Sequence, residues 1–105
     1  MSEYTRELSK LEKHRSELLV ELKRVRDEMD KLRADAVSLV LSGSDIGKLP
    51  EKLLRLDALE DATVAAIKQL DSDIYIVRAL VLAEEREAAA DAAHAAELER
   101  QSAWR

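Results

Sequence analysis

Ser42-Gly43-Ser44-Asp45-Ile46-Gly47-Lys48-Leu49-Pro50 interrupts an apolar repeat that otherwise runs almost the length of the chain. Before it, Met1, Tyr4, Leu8, Leu11, Arg15, Leu18, Leu22, Val25, Met29, Leu32, Ala36 and Leu39 are spaced alternately by three and four. After it the same spacing resumes through Leu53, Leu56, Glu60, Thr63, Ile67, Leu70, Ile74, Val77 and Val81, then thins through Glu84, Ala88, Asp91, Ala95 and Leu98. This rhythm keeps one stripe of an α-helix facing one partner helix. The loop carries the chain's only Pro and both of its Gly residues. Gly43 suits the left-handed cap of a helix C-terminus, and Pro50 suits the first turn of the helix that follows. The residue before a proline is biased away from helical angles, which puts the boundary at Leu49.

A connection this short forces its two helices antiparallel. The expected fold is therefore all-α: an antiparallel two-helix coiled-coil hairpin, a single domain over residues 1–105. Its expected parts are helix 1 over about 2–42, a loop over 43–49 and helix 2 over about 50–100. At about 1.5 Å per residue the helices should be on the order of 60 and 80 Å long. Aligned about the loop, Leu39 meets Leu53, Val25 meets Ile67, Leu22 meets Leu70, Leu18 meets Ile74 and Leu11 meets Val81. Beside these layers the register offers Arg33 to Asp57 and Glu12 to Arg78, with Glu21 near Asp73 a mild conflict. The seam should close from the loop to about Val81 and weaken beyond, leaving residues 91–105 as an overhang. Ala dominates that end and is the strongest helix former, so the overhang can stay helical while exposed.

Charged residues make up 37% of the 105 positions and apolar ones 47%, a composition of long helices rather than of a disordered chain. Without Cys, disulfides, thiol catalysis and thiolate metal sites are excluded. Met1-Ser2-Glu3-Tyr4 has no apolar leader, and the run from Ile74 to Ala83 falls far short of the roughly twenty residues that span a bilayer. A cytoplasmic protein with no membrane contact is expected.

Little here points to reaction chemistry. Gly43-Ser44-Asp45-Ile46-Gly47-Lys48 has glycines and a lysine in the manner of a phosphate-binding loop. However, the spacing is one residue short, Leu49 stands where Ser or Thr is needed, and a helix precedes it. His14 and His94 fall about 20 Å apart in the hairpin and cannot share a metal. Asp71-Ser72-Asp73 and Glu84-Glu85-Arg86-Glu87 are acidic, but adjacent helical residues point in different directions. No catalytic residue, cofactor or metal ligand is expected, and the chain reads as a non-enzyme.

Two features remain. Leu19, Leu59, Tyr75, Ile76, Leu80 and Leu82 lie beside or outside the seam, more apolar surface than one hairpin can cover. They are the expected contact of a homodimer, two hairpins making a four-helix bundle. Charge is also uneven. Residues Met1–Leu41 hold nine basic and nine acidic side chains, the remainder eight and thirteen, so the whole net charge of −5 sits after helix 1. Glu84, Glu85 and Glu87 open an acidic stretch that ends near Trp104, a residue type favoured as an interface anchor. With no clustered positive charge, direct nucleic-acid binding is not expected. The expected function is a protein–protein assembly module, adaptor or scaffold. The alternative is a small acidic inhibitor covering a basic, perhaps nucleic-acid-binding, surface of a target protein.

Overall fold

The computed structural model describes residues 2–103, and Met1, Trp104 and Arg105 fall outside that span. The fold is the expected antiparallel hairpin. Helix α1 runs Glu3–Leu41 and helix α2 runs Leu49–Ala103, 39 and 55 residues long. Together they make a rod 96 Å long and 15 Å across.

Each helix starts and stops for a local reason. The Ser2 hydroxyl accepts the Thr5 N–H at 3.1 Å, satisfying one of the backbone donors that no intrahelical carbonyl can reach. At the other end Gly43 N–H donates to the Val40 carbonyl and Ser44 N–H to that of Leu39, at 3.1 and 2.9 Å. This pair of bonds is a Schellman cap, and it requires a left-handed residue between them. Gly43 supplies it with φ +73°. A second left-handed residue, Gly47 at φ +56°, donates its N–H to Asp45 Oδ1 at 3.1 Å and turns the chain into α2. Helix α2 begins one residue earlier than expected, at Leu49, so Pro50 is its second residue. Pro is tolerated there because the first four N–H groups of a helix lack partners anyway. A methyl group added at Gly43 would meet nothing within 4 Å. Gly43→Ala is therefore expected to cost only the strain of holding an L-residue in the left-handed conformation, about 1–2 kcal/mol of stability by urea denaturation. A loss beyond about 3 kcal/mol would mean that contacts other than the cap hold the loop.

The core is narrow and central. Leu22, Val25 and Met29 of α1 are buried with Thr63, Ile67, Leu70 and Ile74 of α2, the residues that the register places in consecutive facing layers. Every other seam position from Leu8 to Leu39 and from Leu49 to Glu84 is half-buried. From Glu85 onward every described residue is exposed, including Ala88, Asp91, Ala95 and Leu98. Helix α1 begins at Glu3, level with about Ala89, so contact thins over its last turn and the overhang beyond continues as a single helix.

Polar seam positions are resolved by ion pairs across the hairpin. Arg15 donates its Nε to Asp71 at 2.5 Å, and Arg26 reaches Glu60 at 3.1 Å. Each carboxylate lies about two turns along from the layer that faces its partner's position, a reach that only the long Arg side chain allows. The buried Thr63 hydroxyl donates to the Leu59 carbonyl of its own helix at 2.7 Å, so no donor is left unmade in the core. Of the expected flank pairs, Glu12–Arg78 forms at 3.5 Å. Arg33 instead turns to Asp30 on its own helix, at 3.6 Å. The competing pairs are of similar small worth at an exposed site, and the partner one turn away involves less ordering. The Glu21–Asp73 conflict is also relieved. Glu21 binds Arg24 at 2.6 Å, which holds its carboxyl below the ordinary range, and Asp73 accepts the Gln69 amide at 3.1 Å.

Candidate protein interface

Apart from Leu19 of α1 and Leu59 near the start of α2, the described candidate interface residues are carried by α2 from Tyr75 onward, beside the buried Ile74 and the Arg15–Asp71 and Glu12–Arg78 pairs that tie the helices together. Those ties hold Tyr75, Ile76 and Leu82 outward, and they are 77%, 57% and 50% exposed. Leu19, Leu59 and Leu80 are exposed to a lesser degree, near two-fifths each. All six expected dimer residues are therefore on the surface.

They do not form one patch. In a helix of 3.5 residues per turn, positions 75 and 82 share a side, whereas 59 and 80 lie about 150° round from them. Ile76 stands between the two groups on the outermost face. Leu19 of α1 lies beside the groove on Tyr75's side. A second apolar group sits at the loop end, where Val40 and Leu54, already excess apolar positions in the sequence, are joined by Val37 and Leu41, all well exposed. Single apolar residues outside the seam carry no periodic signal. Their clustering depends on folding both helices back to one end.

The acidic residues behave as sequence order dictates. Glu84, last of the half-buried seam positions, stands level with Leu8 of α1, while Glu85 and Glu87 are exposed. None of the three joins an ion pair among the described residues. Further along, Glu97 and Arg100 pair within the overhang. Trp104 lies outside the described residues.

Between the helices on the Tyr75 side runs an open groove of about 520 Å³, lined by Glu12, Arg15, Ser16, Asp71, Ile74, Tyr75 and Arg78. Its four charged groups form the two cross-hairpin pairs, Arg15–Asp71 and Glu12–Arg78. His14 and His94 are both exposed. One acidic group escaped the sequence reading: carboxylate oxygens of Asp57, Glu60 and Asp61 come within 4.8 Å of one another. Spacing of three and four residues puts them on one turn, and Arg26 already neutralises Glu60. Among the described residues no helix is long and apolar enough to cross a membrane. No protein-family model, curated protein or solved structure matches the chain.

Proposed function

We propose that the chain is a non-enzymatic assembly module. Two hairpins associate through the uncovered apolar surface of α2 into a four-helix dimer, and the acidic end of α2 is presented to a protein partner. The observation that carries this reading is the exposure of Tyr75, Ile76 and Leu82 on a helix whose seam is already closed against α1. Large apolar side chains left uncovered on one stretch of helix favour an interface over free surface. A two-helix core is also thin, and small helical chains commonly gain stability by associating.

Light scattering at micromolar concentration is expected to give twice the mass of one chain. Leu80 is 38% exposed in the hairpin, so Leu80→Asp can be accommodated by one chain but buries an unpaired charge in a dimer. That variant is expected to halve the mass while retaining helical circular dichroism. A wild-type monomer would sink the reading.

A second reading, the acidic inhibitor, draws on the six acidic residues against one Arg between Glu84 and Glu99. Attraction to a basic target would then act mainly on the association rate. Salt separates the two. Partner capture that persists at several hundred millimolar salt belongs to the apolar surface, and capture lost over that range belongs to the acidic helix.

A further inference from the structure

Helix α2 carries a second repeat, spaced like the first but pointing away from α1. Ala65, Gln69, Ser72, Ile76, Ala79 and Ala83 alternate by four and three, and every one is exposed. In a helix of 3.5 residues per turn this stripe lies about 150° from the seam that packs on α1. Tyr75 and Leu82 border it on one side and Leu80 on the other. We infer that this outer stripe packs on the same stripe of a second copy, antiparallel, with the two-fold axis passing between Val77 and Arg78. The inference rests on the dimer proposed above and specifies its geometry.

Self-complementarity selects both the occupant and the direction. With the axis at that point, Ile76 faces Ala79 of the other copy, Ser72 faces Ala83, and Tyr75 lies beside Leu82, so each large side chain meets a smaller or flatter one. Arg86 then faces Gln69, with Asp73 one turn away. Neither Arg86 nor Asp73 has an ion-pair partner within the chain among the described residues. A parallel pairing in register would instead stack Ile76 on Ile76 and Arg86 on Arg86, placing like charges together. Antiparallel helices also oppose their dipoles favourably.

The shared stretch is long. It extends from Ala58 facing Glu97 to the symmetric contact, about 60 Å of paired helix. The overhang of one copy therefore lies along the start of α2 in the other. The flanks of the hairpin point the same way. A compact square bundle needs one apolar flank shared by both helices. On the Leu80 side, however, α1 presents Glu7, His14, Glu21, Glu28 and Asp35, and on the Tyr75 side the flanks are occupied by ion pairs. The four helices accordingly stand in a row, α2 against α2 at the centre and each α1 outside.

Distances between paired nitroxide labels, measured by pulsed electron resonance on the full chain, test this. Cysteine is introduced singly, as Lys68→Cys, Ala96→Cys and Ser16→Cys, since the chain has none of its own. The antiparallel row predicts about 30 Å between labels at 68 and about 55 Å at 96, from the rise per residue and the axis position. For labels at 16, three interhelical spacings give about 25–30 Å. Short distances below about 20 Å at both 68 and 96 would mean parallel pairing and overturn the inference while leaving the dimer intact. So would about 15 Å at position 16, the value for a square bundle. Absence of any intermolecular distance in a monomeric sample would overturn the dimer itself.

Discussion

Val25→Asp is expected to destroy the hairpin. Val25 has no solvent exposure, at the centre of the only tightly closed stretch of seam. The substitution removes apolar contacts worth about 1.5–3 kcal/mol. It also places a carboxylate where no cation can reach, at a cost of several kcal/mol. A single domain of this length holds on the order of 5–15 kcal/mol in total. Here the tightly closed layers span only about 17 Å of the 96 Å rod, so the variant should lose most of its far-ultraviolet helical signal at 25 °C. Val20→Asp is the matched control. Val20 points outward five residues away, 72% exposed, and that change should move the melting temperature by a few degrees at most. A Val25→Asp protein that melts within a few degrees of the wild type would show that the layers around Val25 are not the core.

Met29→Ala is expected to lower stability by about 2–5 kcal/mol, the usual cost of a large-to-small change in a packed interior. Met29 is 2% exposed and faces Thr63, a small partner whose hydroxyl is already committed to its own helix. Thr63 cannot move in to fill the space, because it is branched at Cβ and held by that bond. The cost should therefore fall in the upper half of the range. Leu98→Ala removes as much apolar volume from the exposed overhang and should cost less than about 0.5 kcal/mol. Denaturant midpoints for the two variants, at unchanged slope, give the comparison. Equal losses would mean that the seam side of the overhang is packed in solution, either within the chain or against a second copy through a face other than the outer stripe. Measuring the pair at concentrations that span the dimer-to-monomer transition separates the two causes.

The hairpin was legible because its two signals are periodic and local. A repeat of three and four, broken once by Gly43 and Pro50, leaves few other folds open. The buried set follows from counting outward from that break. What resisted reading depends on side-chain reach. Arg15 and Glu60 look like flaws in the seam until the structure shows each tied to a residue two turns along from its own layer. The spacing could not announce those partners, since it fixes Cα levels and not where a guanidinium ends. Arg33 was assigned to Asp57 by level alone, and Asp30 on the same helix won because exposed pairs differ by less than the cost of ordering a side chain. The carboxylate cluster at Asp57, Glu60 and Asp61 and the loop-end group around Leu41 were missed for a related reason. Neither belongs to the seam: the cluster is one turn of α2 set by spacings of three and four, and the loop-end group needs both helices folded back to one end. The expected dimer residues stand out in the sequence only one at a time, as excess apolar positions. Dividing them between two sides of α2 required the helix phase, which the sequence already contained.

The placement of the core at mid-length has a consequence for motion. Amide protons around Val25 and Ile67 can exchange with solvent only when both helices separate, so their exchange reports opening of the whole hairpin. Those from Glu85 to Ala103 need only fray locally and, in an isolated chain, exchange at rates set by the helical preference of Ala. The molecule is thus two regimes on one continuous helix: a clamped segment whose protection is cooperative, and a free arm whose protection rises only when something lies along it. Slow exchange in that arm would be a direct report of occupancy.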